Sequence, residues 1–226
     1  MYHVKKLSKG SGRRIAVGDI HGHFCTFKAL VEDKVKLTKN DQLFLLGDLI
    51  GRGDNGSLVL DYSIKLKAEG FQIYPIKGNH EEKLLMSYGC GFEFFESYLD
   101  AYNMLDLLDG DLNQYLSYIS QFDYCIAFDD IFLSHSGINE DNQSPSTDIR
   151  GMFPNVDFSH IDWEILSQKR QVHGHTTISF SQLKNAIHNN HRKISIDVGC
   201  TSSTDSAWLI ALDLDSMELY QQKCLG

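Results

Sequence analysis

Three short apolar runs punctuate the first third of the chain: RIAV (14–17), QLFLL (42–46) and FQIYPI (71–76). Each has strand length and meets a glycine within two residues, which predicts three strands ending in turns. The two stretches between them repeat apolar positions at the three-to-four spacing of a helix. They run from Phe24 (FCTFKALVEDKV) and from Ser57 (SLVLDYSIKLKAEG), the second closed by Gly70. Strand, helix, strand, helix, strand implies a parallel sheet. From Glu81 to about residue 120 the pattern is rich in Leu, Tyr, Phe and acidic residues without strand punctuation, and it predicts a helical excursion able to shape a substrate groove. Beyond it, YCIAFDDIFLSH reads as a hairpin turning at Asp129–Asp130, and KISIDVG, AWLIALDLD and MELYQQ as further strands, the last two a second hairpin. These later strands are expected to build a second sheet. NEDNQSPSTD (139–148) is a polar loop.

Composition narrows the class. A chain of 226 residues, 42% hydrophobic, suffices for one domain over 1–226 with the excursion as an insertion. Its net charge of −9 carries no basic block, which argues against a nucleic-acid partner. Cys25, Cys90, Cys125, Cys200 and Cys224 are odd in number, scattered and without a CxxC pair, so free thiols in a reducing, cytoplasmic setting are expected. No secretory apolar stretch follows the basic N-terminal residues, and no run approaches a membrane span.

The ends of the runs carry the chemistry. After RIAV come Asp19 and His21, and after QLFLL comes Asp48. Asn79 and His80 follow IYPI, His135 follows IFLS, and a His-Gly-His at 173–175 follows QV. One such residue beside glycine is ordinary turn chemistry, but five coincident cases are a site pattern, because α/β sheets gather functional groups beyond the carboxyl ends of their strands. Carboxylate, imidazole and amide without thiolate favour manganese, iron or zinc in an open catalytic site. Asp19, His21, Asp48, Asn79, His135 and His175 are too many for one tetrahedral ion with an open position. They suit two cations sharing a carboxylate, a pair that acidifies a bridging water and clamps phosphoryl oxygens.

The motifs GDIHG, GDLIGRG, GNHE, SHSG and HGHT, in this order, resemble those of the phosphoprotein-phosphatase-type (calcineurin-like) metallophosphoesterases, over roughly residues 14–213. Their size and the GNHE wording are most similar to the compact bacterial and phage serine/threonine phosphatases. The resemblance implies an α/β fold in which a two-sheet β-sandwich is flanked by helices. It also implies two divalent cations, manganese first, with Asp19 and His21 on one, Asn79, His135 and His175 on the other and Asp48 between them. His80 is then the acid for the leaving group, pointing away from its neighbour Asn79 in an extended chain. Arg52 holds the phosphate, and Arg150 is a second clamp. His173 is expected to pack behind the site, and His3, His23, His188 and His191 to be surface or loop residues. Gly51 stands where the phosphatase wording has Asp, so the acid histidine lacks its usual carboxylate unless Asp54 replaces it. The expected reaction is hydrolysis of phosphate monoesters, phosphoserine or phosphothreonine in a protein or peptide. The small residue at 51 resembles instead the symmetrical dinucleoside tetraphosphatases, which makes a nucleotide polyphosphate the alternative substrate. An inactive metal-binding regulator is the second alternative.

Overall fold

The structure, a computed structural model, describes residues 4–138, 148–153, 155–159, 161–200 and 207–225. The polar loop expected at 139–148 lies outside the described residues except for Asp148, and so does His3. The three predicted opening strands form as β2 (Arg14–Val17), β3 (Gln42–Leu45) and β4 (Gln72–Pro75), after a short edge strand β1 (Val4–Lys6) that the pattern did not announce. Pairing of β2 with β3 and of β3 with β4 is parallel. The connections are α1 (Phe24–Ala29), extended by a wider turn through Val35, and α2 (Gly56–Ala68). The excursion comprises α3 (Asn79–Tyr88), α4 (Phe92–Ala101), a single tight turn at Leu105–Leu108 and α5 (Leu112–Ser120), whose first turn is capped by Asp111 accepting from the Gln114 N–H.

The remaining strands are β5 (Cys125–Ala127), β6 (Ile131–Ser134), β7 (Arg170–His173), β8 (Lys193–Ser195), β9 (Trp208–Asp213) and β10 (Leu219–Lys223). The short helices α6 (Ile149–Met152) and α7 (Trp163–Ser167) precede β7, and α8 (Phe180–His188) precedes β8. Among the described residues the sheet orders are β10-β9-β2-β3-β4 and β1-β5-β6-β7-β8. Both expected hairpins form, β5-β6 and β9-β10, each antiparallel. The second one does not join the second sheet as expected. Instead β9 lies antiparallel against β2 and extends the first sheet. A near-continuous apolar strand such as LIAL can be buried on both faces, and the inner position beside β2 offers that, whereas alternation alone does not say which sheet it enters.

Three apolar layers follow from the alternation of side chains along the strands. Ile15, Val17, Leu43 and Leu45 face the helices, with Phe27, Leu60 and Phe95. Ala16, Phe44 and Leu46 face the other sheet, meeting Ile126, Leu133, Val172 and Ile194. Cys125, Ala127 and Phe132 cover the far face of the second sheet with Ile149 and Phe153. The sandwich flanked by helices is therefore present.

Polar bolts close the sheets at the start of β2. The buried Arg14 guanidinium makes a two-pronged pair with Asp130 of the β5-β6 turn (2.8 Å twice) and reaches Asp215 at 2.7 Å, so it spans the two sheets. Its plane lies 4.8 Å from the Phe128 ring. Beside it, Asp41 accepts from Arg13 Nη2 (2.8 Å), the Arg13 N–H (2.9 Å) and both the N–H and hydroxyl of Thr38 (2.9 Å each). Burial alone would raise the Asp41 carboxyl, but these donors outweigh it and hold the group well below the usual carboxylate range. A carboxyl whose folded value is depressed stabilises the fold above its unfolded value of about 4, and that contribution is lost as pH falls toward the folded value. Asp41→Asn is expected to cost roughly 2–3 kcal/mol at neutral pH in urea denaturation. The variant should also lose less stability than the parent chain between about pH 4 and pH 2.5.

Candidate metal centre

Each candidate ligand leaves the carboxyl end of a strand: Asp19 and His21 from β2, Asp48 from β3, Asn79 from β4, His135 from β6 and His175 from β7. The turns that present them are unusual. His21, Asp48, Arg52 and His175 all have left-handed backbone, with φ of 47°, 49°, 69° and 60°. That conformation costs an L-residue roughly 1–2 kcal/mol, so it persists only where surrounding contacts impose it. Asn79 and His80 are not in extended chain as expected. They are the first two residues of α3, which begins there because Glu81 caps it, and successive helical side chains still diverge by about 100°.

The structure brings the six together around Asp48. Asp48 Oδ2 lies 3.6 Å from His21 Nε2 and 4.0 Å from His80 Nε2, and its Oδ1 lies 3.5 Å from His135 Nε2. Asp19 Oδ2 is 3.8 Å from His21 Nε2, and Asn79 Oδ1 is 3.0 Å from His135 Nε2. Two triplets, His21–Asp48–His80 and Asp48–His135–His175, each present donor atoms within 4.8 Å of one another, and Asp48 belongs to both. In the first triplet His80 stands where the resemblance implied Asp19, whose carboxylate is turned toward the His175 N–H at 3.1 Å. Burial pushes the His21 ring down to about 3 and the His175 ring to about 4, which keeps them neutral with a lone pair to offer. His135 is raised in spite of its burial, because Asp48 and Asp19 face it. Its Nδ1 donates to the Leu46 carbonyl at 2.8 Å, so Nε2 is the atom left for a cation. Buried carboxylates, imidazoles and an amide without thiolate fit a pair of divalent cations.

Arg52, by contrast with the buried ligands, is exposed at the rim. Its positive charge acts on His21, His80 and His175. Arg150 is turned to its neighbour Asp148, which accepts from Nε at 2.8 Å and Nη2 at 2.7 Å. His173 is buried with Nδ1 donating to the Gly174 carbonyl. Asp54 accepts from Asn103 Nδ2 at 2.7 Å, while His80 Nδ1 is buried with no hydrogen-bond partner among the described residues. The reason is Gly51: a Cβ at that position would lie 2.4 Å from His80 Nδ1, so the ring occupies the space a side chain would need.

Two supports escaped sequence reasoning. The Glu81 carboxylate, fully buried, accepts from the backbone N–H groups of Asp48 (2.9 Å), Leu49 (2.8 Å), Ile50 (3.3 Å) and Gly78 (2.8 Å). A Glu three residues after a helix start is the available signal, half of a capping box. The other support is the end of α4, where the Tyr102 carbonyl accepts from the Arg52 N–H (2.9 Å) and Asn103 Nδ2 donates to the Arg52 carbonyl (2.9 Å). The Tyr102 ring stands edge-on to His80 at 5.6 Å. No sequence pattern links residues 52 and 102.

The sequence pattern of the calcineurin-like phosphoesterase family matches residues 12–206. Curated relatives include the symmetrical bis(5'-nucleosyl)-tetraphosphatase of Wigglesworthia glossinidia brevipalpis, 40% identical over 72 residues (32% of this chain, 25% of that protein). Another is the zinc-dependent endopolyphosphatase of Saccharomyces cerevisiae, 36% identical over 87 residues (38% and 25%). The matched segments thus span about a quarter of these relatives. Among solved structures, a candidate diadenosine tetraphosphatase superposes with a TM-score of 0.66 over 99% of this chain and 98% of its own, at 19% identity, a likeness of fold.

Glu81→Gln tests the support beneath the ligands. An amide in that place turns N–H donors against backbone N–H donors, so manganese affinity measured by titration calorimetry should fall roughly tenfold or more.

Proposed function

The chain belongs to the calcineurin-like phosphoesterase family, and from that membership we propose that it hydrolyses a phosphoester at a two-cation centre, with a nucleotide polyphosphate of the dinucleoside tetraphosphate kind as substrate. In this reading Asp48 would be shared by the two cations, Asp19 and His21 would help hold one, and Asn79, His135 and His175 would hold the other. Manganese is the first choice and iron or zinc the alternatives, zinc being the cation named for one relative. The cations supply Lewis-acid polarisation of the phosphoryl group and acidification of the attacking water. The chain supplies the rest. Arg52 presents a planar fork to the non-bridging oxygens from a backbone fixed by Tyr102 and Asn103. His80 sits at the leaving-group side, its Nε2 4.0 Å from Asp48 Oδ2 and its ring in T-shaped contact with Tyr102. Arg150 reaches a phosphate only by giving up Asp148.

The observation that carries the substrate class is the unpartnered His80 Nδ1 against Gly51. An acid histidine without a carboxylate behind it is poorly oriented to protonate a serine or threonine alkoxide. A nucleoside diphosphate departs as a stable anion and needs that proton less. The tetraphosphatase named among the relatives supports the same reading. A phosphorylated protein or peptide, which the GNHE wording favours, is the competing substrate.

Steady-state turnover of diadenosine tetraphosphate and of a phosphoserine peptide, on one preparation, separates the two. The expected kcat/KM is roughly tenfold or more higher for the tetraphosphate, and the reverse order assigns the site to phosphoproteins. EDTA should abolish turnover and Mn²⁺ restore it. Activity that survives verified removal of cations overturns the two-cation centre, and no turnover of either substrate with manganese present leaves a binding protein.

A second expectation concerns Gly51, whose φ of +83° penalises any side chain and whose Cβ would collide with His80. Gly51→Ala and Gly51→Asp should lose turnover alike, by roughly tenfold or more, with a lowered Tm in both. A gain in phosphoserine turnover for the Asp variant alone would show that the loop yields and that charge at this position acts through His80.

A further inference from the structure

Two cysteines distant in sequence are brought together. Cys200 is buried at the end of the segment that follows β8, and Cys224, half-buried, directly follows β10. Both belong to the apolar layer between the first sheet and the helices. Cys224 Sγ donates to the Cys200 carbonyl at 3.2 Å, which sets its sulfur against Cys200. The Cys224 N–H is fixed to the Ala207 carbonyl at 3.0 Å. One residue on, the Leu225 N–H donates to Thr26 Oγ1 at 2.9 Å, so the tail is held in place on both sides of Cys224. Exposed Cys25 and Cys90 and buried Cys125 lack such a partner thiol among the described residues.

We propose that Cys200 and Cys224 form a reversible thiol–disulfide pair, a modification site for low-molecular-weight disulfides such as oxidised glutathione. The roles within the pair differ. The neighbouring Cys200 thiol lowers the Cys224 thiol below its ordinary value, although burial opposes this, while Cys224 together with burial raises Cys200. The more exposed Cys224 is therefore the attacking group. Its thiolate attacks one sulfur of glutathione disulfide and releases one glutathione thiolate, leaving a mixed disulfide on Cys224. Cys200 gives its proton to a thiolate leaving group and attacks the Cys224 sulfur, which expels the second glutathione. Two protein thiols are oxidised to one disulfide, and one glutathione disulfide is reduced to two thiols. The new bond ties the tail that already grips α1 to the segment beside Asp19.

The test uses the full chain, reduced and then incubated anaerobically with oxidised glutathione. It is quenched in acid, denatured, alkylated with iodoacetamide and mapped by mass spectrometry. The expected result is a Cys200–Cys224 linked peptide in most molecules, with Cys125 alkylated and both linked thiols recovered by dithiothreitol. In Cys224→Ser, Cys200 should be alkylated quantitatively, which shows that its protection depends on its partner. Cys200 found alkylated in the oxidised parent chain overturns the proposal, whether Cys224 is unmodified or carries a lasting glutathione adduct. So does Cys200 linked to a different cysteine.

Discussion

The candidate centre depends on one buried carboxylate that touches no substrate. Glu81 collects four backbone N–H groups from two chain segments, the turn after β3 and the start of α3. Asp48 lies on the first segment, and Asn79 and His80 on the second. Without that acceptor, four buried donors lose their partner, and the two turns lose most of the hydrogen bonds that hold them in register. Asp48 completes the junction by accepting from the His80 N–H at 3.0 Å. Ligand geometry is thus set by main-chain hydrogen bonds before any ligand side chain is placed.

The two ends of the strands are built on opposite terms. At the start of β2, opposite charges meet: Arg14 with Asp130 and Asp215, Arg13 with Asp41. At the other end, carboxylates and imidazoles converge under burial, and four residues accept left-handed backbone. The first arrangement favours folding and the second opposes it. Stability held in the apolar layers and the Arg14 bolt allows an end of the sandwich that would not assemble on its own terms.

Much of this was legible in the residues because strands report where they stop. Glycine after each apolar run marked the turns, and a carboxylate or imidazole at five of them marked a site before any element was placed. That one carboxylate is shared followed from counting ligands against two cations, and the resemblance to the family pointed to Asp48 as that carboxylate. Other features left no local trace. Whether β9 enters the first or the second sheet depends on partners elsewhere in the chain. β1 is three residues long with two lysines, a pattern common to loops. Arg150 was placed by its position after a polar loop, and only the structure shows its guanidinium committed to Asp148. Glu81 lay in plain view in GNHE, but three of its four partners are main-chain atoms more than thirty residues away, to which side-chain patterns are blind.

The meeting of α4 with the Arg52 loop bears on how such a molecule acquires new selectivity. The helices between β4 and β5 are an appendage to the sandwich, yet the backbone of Arg52 is fastened to them through the Tyr102 carbonyl and the Asn103 amide. A graft that replaced residues 89–120 with another helical module would alter the walls of the cleft and unfasten the arginine in the same act. Directed evolution of selectivity on this scaffold therefore has a seam: transplants that carry their own carbonyl acceptor and amide donor at the end of the second helix keep the anchor, and those that lack them inherit a loose one.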